Sequence, residues 1–172
     1  MKFLCISDQI DPLVYSTSVK DRYGDVDAVF CAGDLSMDYV DFVVDTLNKP
    51  TFFVFGNHDA EELVTKEEQM AMYMSYECCL AIDEGDEISG CGTYNIPVLS
   101  SDGSKTAYNL WFFDSYLCDA EKGISDNIQQ DQVNWYIKKS NELKEANGGI
   151  PVPSMAFQHI VPKEIGKAEF LS

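Results

Sequence analysis

The chain has 172 residues, of which 45% are hydrophobic, and its 12 basic and 29 acidic residues give a formal net charge of −17. This length and apolar content exclude a disordered chain and predict a single domain over residues 1–172 with a substantial core. The negative charge argues against nucleic acid and anionic membranes as partners, because like charges repel.

Cysteine usage and the lack of long apolar runs predict a reduced, cytoplasmic protein. No apolar run in the sequence approaches the length of a membrane span, and the amino-terminal run at residues 3–6 is too short for a signal peptide. The six cysteines include no Cys-x-x-Cys pair, and Cys5 and Cys31 fall in predicted strands. A disulfide from Cys78 or Cys91 is left open, but no disulfide framework is expected.

Three short apolar runs predict strands in the first third of the chain. They cover Lys2 to Ser7, Ala28 to Ala32, and the residues from Thr51 up to Gly56, where glycine predicts a tight turn. Helical patterns lie between the runs, so the strand–helix–strand order predicts parallel pairing.

The connecting helices have recognisable signals. A short helix is expected within residues 16–23, and Ser36 is a suitable N-cap for a longer second helix. The second helix has apolar residues at helical spacing, which predicts one buried face. That face consists of Val40, Val43, Val44 and Leu47.

The middle of the chain predicts another helix followed by a hairpin. The Thr65-Lys-Glu-Glu68 sequence has the form of a capping box and predicts a helix as far as about Tyr76. Two β-rich runs, residues 94–99 and 107–114, flank the turn sequence Ser-Ser-Asp-Gly-Ser. The second run ends at Asp114, which adds a carboxylate at a strand end.

The last third predicts a long helix and a final strand. Ser125 is expected to cap a helix that runs through Ala146, and residues 154–158 form an apolar run that ends at His159. The inward side of the helix is expected to carry Val133, Tyr136, Ile137, Ser140 and Leu143.

Four apolar runs each end in a residue that can bind a metal ion. They are the three runs in the first third of the chain and the final run at residues 154–158. Asp8 follows the first run, Asp34 the second, Asn57 and His58 the third, and His159 the last. Ligands in α/β sheets bind beyond the carboxyl ends of the strands, so these side chains are expected to converge. Carboxylate, amide and imidazole ligands suit divalent Mn, Zn or Fe better than Ca or Mg alone.

Such a site has a specific chemistry. Asp34 lies between the ligands of the first and third strands and could bridge two ions, which would clamp a phosphoryl group and generate a hydroxide nucleophile. His58, beside the ligand Asn57, could protonate the leaving oxygen. Bound cations would also reverse the local charge of an acidic protein and admit a phosphorylated substrate.

These residues resemble the calcineurin-like metallophosphoesterases, and the later part of the chain is similar to the branch related to purple acid phosphatases. The resemblance implies an α/β fold, a sandwich of two mixed β-sheets flanked by helices, and a small phosphorylated substrate. It also implies that Asp8 binds one ion, Asp34 bridges, Asn57 and His159 bind the second ion, and His58 is the catalytic acid. It rests on Asp8, Gly33-Asp34, Gly56-Asn57-His58-Asp59 and His159.

The chain departs from that family at two places. The first family motif is Asp-x-His, and Ile10 occupies the histidine position. The final Gly-His-x-His motif is missing before Ser172, so we expect a carboxyl-terminally truncated domain or an incomplete site. Whether Asp11 replaces the missing imidazole stays open. The family has two ions, whereas one or fewer is expected here.

The sequence therefore leaves three functions to compare. The first is an impaired metal-dependent phosphoesterase that hydrolyses phosphomonoesters or phosphodiesters. The second is a catalytically inactive phosphoesterase-like domain with a binding or regulatory role, and the third is a purely structural relic of the fold. Ile10 and the missing terminal motif favour the second and third readings, while the convergent ligands favour the first. The sequence indicates neither the substrate nor the oligomeric state.

Overall fold

The computed structural model describes residues 1–56, 64–85, 87–115 and 128–160. Asn57 and His58 therefore lie outside the described residues. The described part of the chain forms an α/β fold with two small sheets and four helices. In chain order its elements are β1 (Phe3–Ile6), α1 (Val19–Tyr23), β2 (Ala28–Ala32), α2 (Met37–Leu47), β3 (Thr51–Val54), α3 (Lys66–Met74), β4 (Tyr94–Leu99), β5 (Thr106–Phe113), α4 (Gln130–Ala146) and β6 (Ser154–Gln158).

The two sheets differ in strand direction. The first has the order β1-β2-β3, and both pairings are parallel because α1 and α2 return the chain to the same end of the sheet. The second has the order β4-β5-β6. There, a hairpin makes β4 and β5 antiparallel, while α4 brings β6 back parallel to β5. Both sheets are expected to mix parallel and antiparallel strands. Among the described strands, only the second sheet does so.

A stack of aromatic rings holds the two sheets face to face. Phe30 and Phe52 from the first sheet stack on each other at a centroid distance of 4.8 Å. Phe112 of the second sheet lies 5.4 Å from Phe52, and Phe157 lies 4.8 Å from Phe30. Tyr94 continues the stack at 4.6 Å from Phe112. Each such pair contributes about 0.5–1.5 kcal/mol beyond its buried area, so this column fixes how the sheets are aligned.

The Tyr94 hydroxyl also links the sheets through the backbone of β3. It donates to the carbonyl oxygen of Phe53 at 2.9 Å and accepts from the Phe53 amide at 3.2 Å. On the same strand, the Thr51 amide donates to the Cys78 carbonyl and the Leu80 amide donates to the Thr51 carbonyl. On the side of β3 that faces away from β2, the backbone groups of Thr51 and Phe53 are thus hydrogen bonded to residues 78–80 and to the Tyr94 hydroxyl.

Helix α2 covers the opposite face of the first sheet, as its spacing predicts. The predicted residues Val40, Val43, Val44 and Leu47 are all buried. The helix ends at Asn48, which adopts a left-handed conformation with φ of 48°. Asparagine tolerates this conformation better than most residues, so the chain can turn directly into β3.

The predicted capping box at the start of α3 is confirmed. Thr65 Oγ1 accepts from the Glu68 amide at 3.2 Å, and the Thr65 amide donates to Glu68 Oε2 at 3.0 Å. Helix α3 places Tyr73 flat against Phe53, with ring centroids 4.3 Å apart. It ends at Met74, close to the predicted end.

The predicted start of α4 is wrong, and its predicted inward face is confirmed only in part. The helix begins at Gln130 with Gln129 as its N-cap, whereas Ser125 lies outside the described residues. Its buried residues are Gln132 and Trp135, while Ile137, expected inside, is 50% exposed. Tyr136, as predicted, meets the Trp111 ring at 4.8 Å, and Leu143 packs against the same cluster. The inward face therefore includes these two helix residues but also the unpredicted Gln132 and Trp135.

Hydrogen bonds explain why the polar side chain of Gln132 lies on the inward face of α4. The Gln132 side chain donates to Thr93 Oγ1 at 2.7 Å and to the Asp114 carbonyl at 2.8 Å. Its Oε1 accepts from the Gln129 amide at 2.6 Å. A buried amide with all these partners is stable inside the protein, so it replaces the apolar residue that a hydrophobic pattern expects.

None of the described cysteines forms a disulfide; they are Cys5, Cys31, Cys78, Cys79 and Cys91. Cys118 lies outside the described residues. Among the described helices, none combines the length and the apolar character needed to cross a membrane.

Candidate metal centre

Three of the predicted ligands meet at one edge of the sandwich. Asp8 follows β1, Asp34 follows β2, and His159 follows β6 from the second sheet. Each offers one ligand atom, and these atoms all lie within 4.8 Å of one another. His159 Nε2 lies 3.2 Å from Asp34 Oδ2. The two other predicted site residues, Asn57 and His58, are outside the described part of the chain.

An unusual backbone conformation aims the two carboxylates. Asp8 has a φ of 59° and Asp34 has a φ of 55°, so both are in the left-handed region directly after their strands. The Asp8 amide donates to the Gly33 carbonyl at 3.1 Å, which joins the two turns. Non-glycine residues held in this region cost about 1–3 kcal/mol each and cluster at functional sites. The repeated conformation therefore supports a site here.

The close approach of the turns after β2 and β3 requires glycine at both positions. Gly33 has a φ of +87°, and a Cβ there would lie 2.7 Å from the Gly56 amide nitrogen and 2.8 Å from His159 Nδ1. A Cβ on Gly56 would overlap the Asp34 carboxylate. Gly56 itself does not have a positive φ, so it gives room to Asp34 rather than a left-handed turn.

The imidazole of His159 is held in one orientation. Its Nδ1 lies 2.9 Å from the Ala32 carbonyl oxygen, which can only accept, so Nδ1 carries a hydrogen. In the neutral ring, Nε2 then presents its lone pair to the Asp34 carboxylate. Two lone pairs repel, so this arrangement is favourable only when a proton or a cation lies between the two atoms. A histidine that donates its other nitrogen to a carbonyl is typical of metal ligands.

Ser7 supports the site, although sequence patterns do not single it out. Its Oγ is hydrogen bonded to Asp8 Oδ2 and lies 3.1 Å from the Ala32 carbonyl oxygen. The hydroxyl thus connects the first carboxylate to the same carbonyl that holds His159. A Ser-Asp pair at a strand end was the only signal in the sequence for this role.

Neither Ile10 nor Asp11 supplies the missing imidazole. Ile10 is 50% exposed and has no ligand atom. Asp11 accepts a hydrogen bond from the Leu13 amide at 2.7 Å and closes its own turn. Among the described residues, the group of converging ligand atoms does not include Asp11.

Asp114 belongs to a separate buried ion pair. Its carboxylate lies 2.9 Å from Lys66 Nζ and accepts from the Cys91 amide at 2.9 Å. The side chains of Lys66 and Asp114 are 9% and 1% exposed. Burial raises the pKa of the Cys91 thiol to about 12, so this thiol is not a nucleophile at neutral pH. The cluster joins α3 to β5 and is structural.

The donor set of the centre suits a divalent transition metal. Two carboxylates and one imidazole match the preferences of Mn, Zn and Fe, and a group of this size is suited to one ion. No protein-family model matches the chain, and neither a curated protein nor a solved structure matches it significantly.

Proposed function

We propose that this chain is a metal-dependent phosphoesterase of the calcineurin-like type, with an impaired site and a small phosphomonoester or phosphodiester substrate in the cytoplasm. The observation that carries the proposal is the convergence of Asp8, Asp34 and His159 from three strand ends. The two-sheet α/β architecture agrees with the sandwich that the sequence resemblance implies.

A bound divalent ion would act as a Lewis acid on the phosphoryl group and activate water. Asp8 and Asp34 would hold the ion and neutralise its charge. The Ala32 carbonyl would orient His159 so that Nε2 faces the ion, and Ser7 would orient Asp8. His58 keeps its predicted role as the acid that protonates the leaving oxygen, and Asn57 its role as a ligand.

The geometry favours one ion rather than the two of the family. His159 Nε2 lies 3.2 Å from Asp34 Oδ2, and the ligand atom of Asp8 lies within 4.8 Å of the ligand atoms of both. The imidazole that would complete a first-ion site is replaced by Ile10. Losing even an outer-shell partner costs roughly 10–100-fold in metal affinity or activity, and the loss of a direct ligand should cost at least as much.

We expect Asp34→Asn to weaken Mn²⁺ binding by at least roughly 100-fold, because it removes a charged ligand from the centre of the group. Titration calorimetry should give a stoichiometry of one ion or fewer for the parent protein. Asp41→Asn, which changes an exposed carboxylate on α2, is the matched control and should leave the affinity unchanged. Equal Mn²⁺ affinity in Asp34→Asn and the parent would contradict the metal role of Asp34.

We expect slow hydrolysis of bis-nitrophenyl phosphate that requires added Mn²⁺ and stops with chelator. Turnover should stay below the usual enzyme range, at less than about 1 per second. Nitrophenyl phosphate, assayed in parallel, separates monoester from diester activity. Full activity in chelator would exclude the metal mechanism, and rapid turnover with two bound ions would show that the site is complete.

The second candidate function is a catalytically inactive domain that retains a binding or regulatory role. The exposed Ile10, together with the turn that occupies Asp11, favours it because neither residue can complete the site. Metal binding at Asp34 with no hydrolysis of either ester would support this function over the first.

A further inference from the structure

Among the described strands, the first sheet has an open edge at β1. In the described part of the chain, β1 pairs only with β2. The Lys2 carbonyl and the Asp8 amide are both hydrogen bonded to residues that flank β2. Successive residues of an extended strand direct their backbone groups to opposite sides, so the even-numbered residues bond to β2. Phe3 and Cys5 therefore direct their N–H and C=O groups away from the sheet.

A groove runs along this edge. It has a volume of about 400 Å³ and is lined by residues 4–7, residues 9–12, Val14 and Tyr23. Three residues of β1 and the following Ser7 line it, which corresponds to roughly 13 Å of extended chain. An extended chain of about four residues can therefore lie beside β1 with its backbone within reach of the strand.

The face of β1 that points toward the second sheet is also uncovered. Phe3 is 51% exposed and meets Phe30 edge to face at 5.3 Å. Phe30 is itself stacked on Phe157 of β6 at 4.8 Å. Because β6 lies over β2, no described strand of the second sheet lies over β1. A strand added at this edge would find exposed apolar surface beside it as well as free backbone groups.

We propose that the β1 edge binds an extended segment of a partner polypeptide in which apolar and basic residues alternate, as an added strand. Among the described residues that line the groove, Asp11 carries the only charge, and Asp8 follows the last lining residue of the strand. Both are carboxylates, and the whole chain has a formal charge of −17. This charge favours a basic segment over a second copy, which would bring two equally acidic chains together. The proposal does not depend on phosphoesterase activity.

Recognition by strand addition has two separable sources. Main-chain hydrogen bonds give affinity, and alternate side chains give specificity. The backbone groups of Phe3 and Cys5 provide the first, while the Asp11 carboxylate in the groove provides the second. Each source can be removed without the other.

The probe for the charge requirement is a fluorescein-labelled eight-residue peptide of alternating lysine and valine, measured by fluorescence anisotropy with the full chain. We expect it to bind at least roughly tenfold more tightly than the alternating glutamate–valine peptide, because like charges repel at the rim of the edge. Binding should weaken as salt is raised. Equal binding of both peptides would overturn the proposal.

The probe for strand addition is Cys5→Pro. Proline removes the outward N–H at an edge position and spares the bonds to β2, so the fold should tolerate it. We expect about a tenfold loss of lysine–valine peptide binding, since one hydrogen bond is lost and the ring blocks approach. Cys5→Ser is the matched control because it replaces the same thiol and keeps the N–H; it should bind like the parent.

A second measurement needs no variant to fold. The lysine–valine peptide can be N-methylated at alternate residues, which blocks the hydrogen bonds along one of its two edges. Methylation of the edge that bonds to β1 should weaken binding to the parent chain about tenfold relative to the unmodified peptide. Methylation of the opposite edge should have little effect. Equal binding of all three peptides would overturn strand addition. If the parent chain bound no peptide but formed dimers, and Cys5→Pro abolished those dimers, the partner at this edge would be a second copy of the chain instead.

Discussion

Gly33→Ala should unfold the chain more easily and abolish Mn²⁺ binding in the same variant. An L-residue with the left-handed φ of +87° costs about 1–2 kcal/mol, and the new Cβ would lie 2.7 Å from the Gly56 amide nitrogen. Overpacking against backbone adds about 1–3 kcal/mol, so the free energy of unfolding should fall by roughly 2–5 kcal/mol. The same Cβ would lie 2.8 Å from His159 Nδ1 and displace the ring from Ala32. Urea unfolding and titration calorimetry measure the two effects.

Gly103→Ala is the matched control for backbone strain alone. Gly103 has a comparable φ of +71°, but a Cβ there would meet nothing within 4 Å. This variant should lose only about 1–2 kcal/mol and keep the parent Mn²⁺ affinity. If Gly33→Ala lost no more stability than Gly103→Ala and bound Mn²⁺ normally, the close approach of the two turns would not be a requirement of the centre.

Lys66→Met should lower the free energy of unfolding by about 3–5 kcal/mol, the usual cost of removing one partner of a buried ion pair. The change leaves the Asp114 carboxylate, 1% exposed, without the ammonium 2.9 Å away. The Cys91 amide continues to donate to this carboxylate, but a neutral donor cannot balance its charge. Urea or thermal unfolding measures the loss.

Two further variants identify the origin of this loss. Lys139→Met breaks a more exposed pair with Glu84, at 3.7 Å, and should change stability by less than about 1 kcal/mol. Adding Asp114→Leu to Lys66→Met removes the buried carboxylate that has lost its ammonium and should recover part of the lost stability. A Lys66→Met effect as small as that of Lys139→Met would mean that the buried pair contributes little.

Local signals predict most of the first sheet and its helices. The run from Ala28 to Ala32 is a strand over those same residues, and the apolar face of α2 is buried as its spacing indicates. The capping box at Thr65 sets the start of α3. Such features depend on neighbours within one or two helical turns, so a single sequence contains them.

The approach of Asp8 and Asp34 is also predictable, because parallel neighbours in one sheet end at the same edge. The position of His159 is harder to predict, because this residue follows a strand of the second sheet. Its approach to Asp34 depends on the ring stack that aligns Phe157 over Phe30. Its position at the end of the last strand was the only signal available in the sequence.

Long-range polar contacts account for what the sequence does not predict. Lys66 and Asp114 are 48 residues apart, and nothing local marks them as partners. The burial of Gln132 depends on acceptors at Thr93 and Asp114, so an apolar pattern leaves Gln132 out of the inward face of α4. In each case the partner is fixed by tertiary packing rather than by neighbouring residues.

The hydroxyl of Tyr94 has a consequence for how copies of the chain can associate. Because it occupies both backbone groups of Phe53, and residues 78–80 occupy those of Thr51, the described outer side of β3 has no free strand pairing to offer. A fibre built through the first sheet needs two available edges on every copy, whereas the described strands of this sheet offer β1 alone. Joining through the first sheet therefore ends at two molecules and cannot polymerise.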